Sequence, residues 1–188
     1  MKRNRFLYLL LGVLMILLML TSCSYNARVL ESAYMKLPEN VEPFNQKIFI
    51  DKFRGGRKPL SDAEKMWAVD SSIDLMMARI SLIRSINATR LFEIADIGDC
   101  DYKLTANVIT NEWQGAFNVN SIFKVQYQLI DNKTDGVVWE EIIITKDKKT
   151  TEDAFVGANR MQLLFEATYK KNNQQVIEKL AGLNLPKE

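Results

Sequence analysis

The sequence predicts an α/β two-layer sandwich: a mixed, largely antiparallel sheet of four to five strands with two amphipathic helices on one face. Three observations carry this expectation. Phe123, Val125, Tyr127 and Leu129 alternate with Lys124, Gln126 and Gln128, and Tyr102, Leu104, Ala106 and Val108 alternate with Lys103, Thr105 and Asn107. A period of two marks strands with one buried face. Ile73, Met76, Met77, Ile80, Ile83 and Ile86 recur at three- and four-residue steps, the spacing of a single helical face. Residues 152–180 repeat that spacing over a longer stretch. One-sided strands need a cover and one-sided helices need a surface, so the two layers bury each other.

At the start of the chain, Lys2, Arg3 and Arg5 precede an apolar run of fifteen residues, Phe6 to Leu20. Charge, apolar core and small residues in that order form the layout of a secretory signal. The run is short of the roughly 17–20 residues that a spanning helix needs. Leu20-Thr21-Ser22-Cys23 resembles the lipobox of bacterial lipoproteins. The resemblance implies cleavage after Ser22, diacylglycerol on the Cys23 thiol and acylation of the new amino terminus. An uncleaved anchor or an ordinary export signal is the alternative. Ser24, in place of an Asp, looks like sorting to the outer membrane, facing the periplasm. Acyl chains contribute about 0.8 kcal/mol per buried CH₂, so three together hold a protein on a membrane essentially permanently. Residues 1–22 are then a cleaved signal, 23–46 the lipid anchor and tether, and 47–185 a single α/β domain.

The tether carries Pro38 and Pro43 and no sustained periodicity, with a short helix over 28–35 as its one candidate element. Ile48 to Phe53 is rich in strand formers and reads as the first strand. Arg54-Gly55-Gly56-Arg57-Lys58-Pro59 ends it with two glycines and a proline. Ser61 to Glu64 has the capping-box pattern for a short turn through Trp67. Asp70, Ser71 or Ser72 opens the first long helix, whose polar side holds Arg79 and Arg84. Leu91 to Ile94 is a short strand and 96–101 a polar turn. After the strand over 102–108, residues 112–117 interrupt with Gly115. The 123–129 strand leads into Asp131-Asn132-Lys133-Thr134-Asp135-Gly136, a turn of residues that tolerate left-handed backbone. Val137 to Thr145 returns as its hairpin partner, with Ile142-Ile143-Ile144 ambiguous in face. Residues 146–151 are polar. On the last helix Phe155, Ala158, Met161, Phe165, Thr168, Asn172, Val176 and Leu180 fall on one side, with a polar gap in the middle. Gly182 ends it.

Composition excludes several function classes. The chain has 188 residues, 25 Lys and Arg against 23 Asp and Glu, and no histidine. Three of the basic residues belong to the signal, so the mature chain is 22 basic against 23 acidic. Its near-neutral charge gives no support to nucleic-acid binding. The absent histidines remove the commonest general base and the commonest zinc ligand. With Cys23 taken by lipid, Cys100 has no partner in the chain, so a disulfide scaffold is excluded. Cys100 reads as a buried thiol, with an intermolecular disulfide as the sharper alternative.

The remaining candidates are few. Asp99 and Asp101 flank Cys100 at a turn, where carboxylates commonly serve backbone N–H groups. Glu140 and Glu141 are adjacent on a strand and point to opposite faces, so they are no facing acid–base pair. No phosphate loop or nucleophile set is present. No cofactor, metal or catalytic residue is assigned. Lys52, Arg54, Arg57 and Lys58 surround Gly55-Gly56, and a glycine turn with four cations could contact an anion or lipid headgroup. The plainer reading is a solvated loop. Trp113 and Phe117 read as packing over a sheet end, or, if exposed, as a protein contact.

From Ile48 onward the layout resembles a group of small Gram-negative envelope lipoproteins: ABC-transporter auxiliary lipoproteins, the curli-secretion lipoprotein, and others folded like the TolB amino-terminal domain. The residues carrying it are Asp74 to Phe92, Asp101-Tyr102-Lys103-Leu104-Thr105-Ala106, and Tyr127 to Asp131 with Thr134 to Trp139. The closing helix adds Gly157, Arg160, Glu166, Ala167, Asn172, Asn173, Ile177 and Leu180. The resemblance implies a non-enzymatic accessory or assembly factor of an envelope transport or secretion complex. Its partners would be the membrane, through lipid on Cys23, an envelope protein complex, and a second copy of the chain where an edge strand is free. The alternative is a lipid carrier that takes an acyl chain between sheet and helices.

Overall fold

A computed structural model describes residues 37, 41–56, 71–115 and 118–185. Several expected features lie outside these residues: the signal, Cys23, the tether helix, Arg57, Lys58, the capping box and Phe117. The described elements are β1 (Lys47–Ile50), β2 (Arg54–Gly55), α1 (Ser71–Thr89), β3 (Glu93–Ile94), β4 (Tyr102–Gln114), β5 (Val119–Asp131), β6 (Val137–Lys149) and α2 (Gly157–Ala181). They make one mixed sheet in the order β3-β1-β4-β5-β6, with β2 beside β4. β1 runs parallel to β3 and β4, β2 runs parallel to β4, and β4-β5-β6 is an antiparallel meander.

Six strand segments stand where four to five were expected: the first strand ends at Ile50, short of Phe53, and β2 forms at the start of the glycine turn expected to break it. Ile50 pairs with Leu104, but Arg54 pairs with Asn107. Residues 51–53 therefore span the length covered by Thr105 and Ala106, and the extra residue makes a bulge. Arg79 was expected on the polar side of its helix. Its guanidinium instead reaches the bulge, Nε donating to the Ile50 and Asp51 carbonyls at 3.0 and 3.1 Å and Nη2 to Ile50 at 2.7 Å.

Two more bulges shape the meander. Val108 pairs with Val125 and Thr110 with Lys124, which leaves Ile109 extra. The bulge switches parity: even-numbered residues face inward up to Val108, and Asn111 and Trp113 lie opposite the buried Phe123 and Ser121 beyond it. β4 therefore continues through Gln114, where the sequence pattern reads as an interruption. In β6 the extra residue is Val138, between the Leu129–Trp139 and Ile130–Val137 pairs. β6 also runs on to Lys149, past the expected end at Thr145 and into the polar residues that follow.

Both helices pack on one sheet face. The core joins Ile48 and Ile50 of β1 to Leu104, Val125, Tyr127 and Leu129 of the meander and to Leu82, Ile86, Phe165, Val176, Ile177 and Leu180 of the helices. α1 is rotated from the expected face. Met76 is 53% exposed, while Ser81 and Ser85 are buried. The serines are tolerated there because Asn173 of α2 donates from Nδ2 to both hydroxyls, at 2.8 and 3.2 Å. The polar gap in α2 is one side of a buried ladder. Ser121 and Thr168 share a hydrogen bond of 2.7 Å, Tyr127 donates to Asn172 Oδ1 at 2.6 Å, and Asn172 Nδ2 donates to Thr145 Oγ1 at 3.2 Å. Burial pushes the Tyr127 phenol far above its ordinary range, so it stays a neutral donor.

α2 begins at Gly157 and not at Glu152. Asp153 Oδ2 accepts the Thr150 N–H at 2.8 Å and closes a turn there. Arg160 Nη1 donates to the Ala154 and Phe155 carbonyls at 2.7 and 2.6 Å, so a side chain from the first turn of the helix braces this corner. Phe155, expected on the buried side of the helix, stands 90% exposed.

Candidate functional site

The helices leave the second sheet face open. On it Ile122 of β5 and Ile142 and Ile144 of β6 are 36%, 47% and 49% exposed. The register interleaves them with polar side chains: Gln126 lies beside Ile142, Lys124 beside Ile144, and Ile122 beside Lys146. The ambiguity in Ile142-Ile143-Ile144 is thereby settled, since Ile143 alone turns into the core. Glu140 is fixed on the same open face. It accepts from Gln126 Nε2 at 2.5 Å and from Gln128 Nε2 at 3.1 Å. Those bonds, with Gln128's the larger influence, hold its carboxyl below the usual carboxylate range. Glu141 points the other way and pairs with Lys179 at 2.6 Å, so the two glutamates lie on opposite faces, as their adjacency requires.

β6 ends the sheet with a thirteen-residue edge that pairs with no further strand among the described residues. One contact reaches around it, from Lys171 Nζ to the Lys146 carbonyl at 3.1 Å. Phe155 and Val156, the latter 55% exposed, project from the corner after this strand. An apolar patch interleaved with charge beside an open strand edge is suited to binding another protein surface.

The basic turn is only partly described. Lys52 and Arg54 are exposed, and Arg54 Nη2 is paired with Asp51 Oδ2 at 3.1 Å. The same carboxylate accepts the Lys52 N–H at 2.7 Å. The glycines have a structural reason to be there. Gly55 has φ +87°, and a Cβ on it would run into the Val108 carbonyl oxygen and, at 2.7 Å, Asn107 Oδ1. Close approach of β2 to β4 therefore demands glycine whether or not an anion binds.

The Asp99–Asp101 turn ties β1 to β4. Asp101 Oδ2 accepts the Lys47 N–H at 2.8 Å, and Lys47 Nζ pairs with Asp99 at 2.7 Å. That pairing raises the Lys47 ammonium pKa. Cys100 is a free, buried thiol whose pKa burial pushes up, away from reactive thiolate. Trp113 sits inside β4 and packs edge-on against Phe165 and Tyr169, at ring-centre distances of 4.0 and 6.2 Å. Among the described residues no three His, Cys, Asp or Glu side chains gather closely enough to hold a metal ion. No described helix is long and apolar enough to cross a membrane.

The sequence reading did not single out Ile122, Ile142 or Ile144 as a surface. The available signal was the alternation Glu140, Ile142, Ile144, Lys146, with charge at both ends of an apolar pair.

No protein-family model matches this chain, and no curated protein matches it. Solved structures share its fold. A Xanthomonas campestris protein of the DUF330 family superposes with a TM-score of 0.59 at 12% identity, over 76% of this chain and 87% of that one. The PelC dodecamer subunit from Paraburkholderia phytofirmans gives 0.50 at 12% identity, over 80% of this chain and 96% of that one. A minor lipoprotein from Acinetobacter baumannii gives 0.47 at 13% identity, over 76% and 98%. At such identities the likeness to the first two is one of fold.

Proposed function

We propose that this chain is a non-enzymatic lipoprotein, held on the periplasmic face of the outer membrane by lipid on Cys23, that serves as an accessory or assembly factor of an envelope transport or secretion complex. The observation that carries this reading is the open sheet face, with exposed Ile122, Ile142 and Ile144 beside the free edge of β6. The Leu20-Thr21-Ser22-Cys23 motif supports the anchor. The likeness in layout to transport-auxiliary, curli-secretion and TolB-type domains supports the accessory role. The fold shared with a protein that forms dodecamers supports a homo-oligomer. The carrier reading receives less support, because Phe123, Tyr127, Phe165 and Tyr169 occupy the space between the layers.

The test is capture from crosslinked envelopes with the full lipidated chain as bait. One envelope complex is expected, and Ile142→Glu with Ile144→Glu should lower its recovery about tenfold, the effect of losing a central apolar contact. Recovery of no envelope protein, or recovery indifferent to the two substitutions, would sink the reading.

A further inference from the structure

β6 is complementary to itself. When two copies of this strand run antiparallel with Ile143 facing Ile143, residues equally spaced from it oppose each other. Ile142 then meets Ile144, and Glu140 meets Lys146. We propose that two copies of this chain join through their β6 edges, antiparallel about Ile143, into one continuous sheet. The inference rests on the oligomer half of the reading above and names its surface and symmetry.

Three features support it. First, the pairs fall on the right face. Glu140, Ile142, Ile144 and Lys146 are all exposed on the open side of the sheet, so pairing brings four isoleucines into one patch with oppositely charged residues at both ends. Directly opposed side chains of this kind are what stabilise strand pairs. Second, neighbouring registers fail. About Ile144, Glu141 would face Asp147 and Ile142 would face Lys146. About Ile142, Glu140 would face Ile144 and Glu141 would face Ile143. About Ile144 one isoleucine position faces itself and Glu140 meets Lys148, but Ile142 is set against a charge; the Ile143 register alone among these three places both exposed isoleucines against isoleucine with acid opposite base beside them. Third, Glu140 is already positioned by Gln126 and Gln128. The exposed Lys171 bond to the Lys146 carbonyl gives way on pairing. The interface is isologous, so it closes at two copies and leaves no free β6 edge to propagate. Tethering both copies to one membrane raises their effective concentration and favours the pair.

Sedimentation of the full lipidated chain in detergent tests this. A dimer is expected. Glu140→Lys and Lys146→Glu each set like charges opposite one another and should weaken it about tenfold. The double exchange Glu140→Lys/Lys146→Glu should restore it, a rescue that general surface damage would not give. Register is read by oxidation. Chains carrying Ile142→Cys mixed with chains carrying Ile144→Cys should form a disulfide dimer, and each alone far less, since identical positions then lie diagonally about 7–8 Å apart. A monomer overturns this proposal and the oligomer reading together. An oligomer indifferent to the charge exchange and to the cysteine mixture overturns edge pairing alone.

Discussion

The two faces of this sheet carry opposite exceptions to the usual association of polarity with exposure. The helix-covered face buries Ser121, Thr145, Thr168, Asn172, Asn173 and the Tyr127 hydroxyl, while the open face exposes three isoleucines. At these positions polarity alone does not separate inside from outside. Partnership does: Ser121, Thr145, Thr168, Asn172 and Tyr127 bond between sheet and helix, and Asn173 bonds from one helix to the other. A buried polar group without a partner costs about 1–3 kcal/mol, whereas a bonded one is close to neutral. An exposed isoleucine carries no such penalty, and a group of them beside charges is most useful as a contact surface.

The largest test of that contrast exchanges apolar side chains on the two faces. Leu129→Ala removes a fully buried side chain opposite the helices and should cost about 2–5 kcal/mol in urea unfolding. Ile142→Ala, on the open face, should cost about 0.5 kcal/mol or less. Equal costs would show that the open face is covered in the isolated protein. The next test is polar. Tyr127→Phe keeps the ring but strands Asn172 Oδ1, and about 1–3 kcal/mol should be lost. A loss near zero would mean that Asn172 finds another donor and that the ladder is not cooperative.

Much of the inner architecture is legible in the sequence. The alternation over 102–108 and 123–129 reports buried faces correctly, and the turn at 131–136 forms as its residues demand. Asp131 Oδ1 there accepts the Lys133 and Thr134 N–H groups, each at 2.9 Å. What alternation cannot register is an inserted residue. Ile109 switches the parity of β4 and makes a continuing strand look like its end. Likewise a helical face judged by apolarity alone places Met76 inside and leaves out Ser81 and Ser85. The partner that makes those serines acceptable, Asn173, lies 92 residues from Ser81 and 88 from Ser85. The candidate interface was hidden for a related reason. An apolar run such as Ile142-Ile143-Ile144 reads as doubly buried, but the helices cover one sheet face, and two of the three lie on the other.

The smallest expected effect separates a positioned surface carboxylate from an idle one. If Gln126 and Gln128 hold Glu140 in place, its folded-state pKa lies below the unfolded value of about 4.3. A lowered carboxylate pKa contributes stability that is full above the unfolded value and is lost as pH falls through the folded one. The contribution should therefore vanish only in acid, below about pH 4. Following the Glu140 side-chain carboxyl carbon by NMR should give a midpoint below the ordinary value. Gln126→Ala with Gln128→Ala should return that midpoint toward normal without altering the core resonances. A midpoint already normal in the parent chain would mean that the two glutamines do not hold the carboxylate. Glu140 would then meet Lys146 of a second copy as a mobile charge and not as a fixed one, and the register about Ile143 would rest on the isoleucines alone.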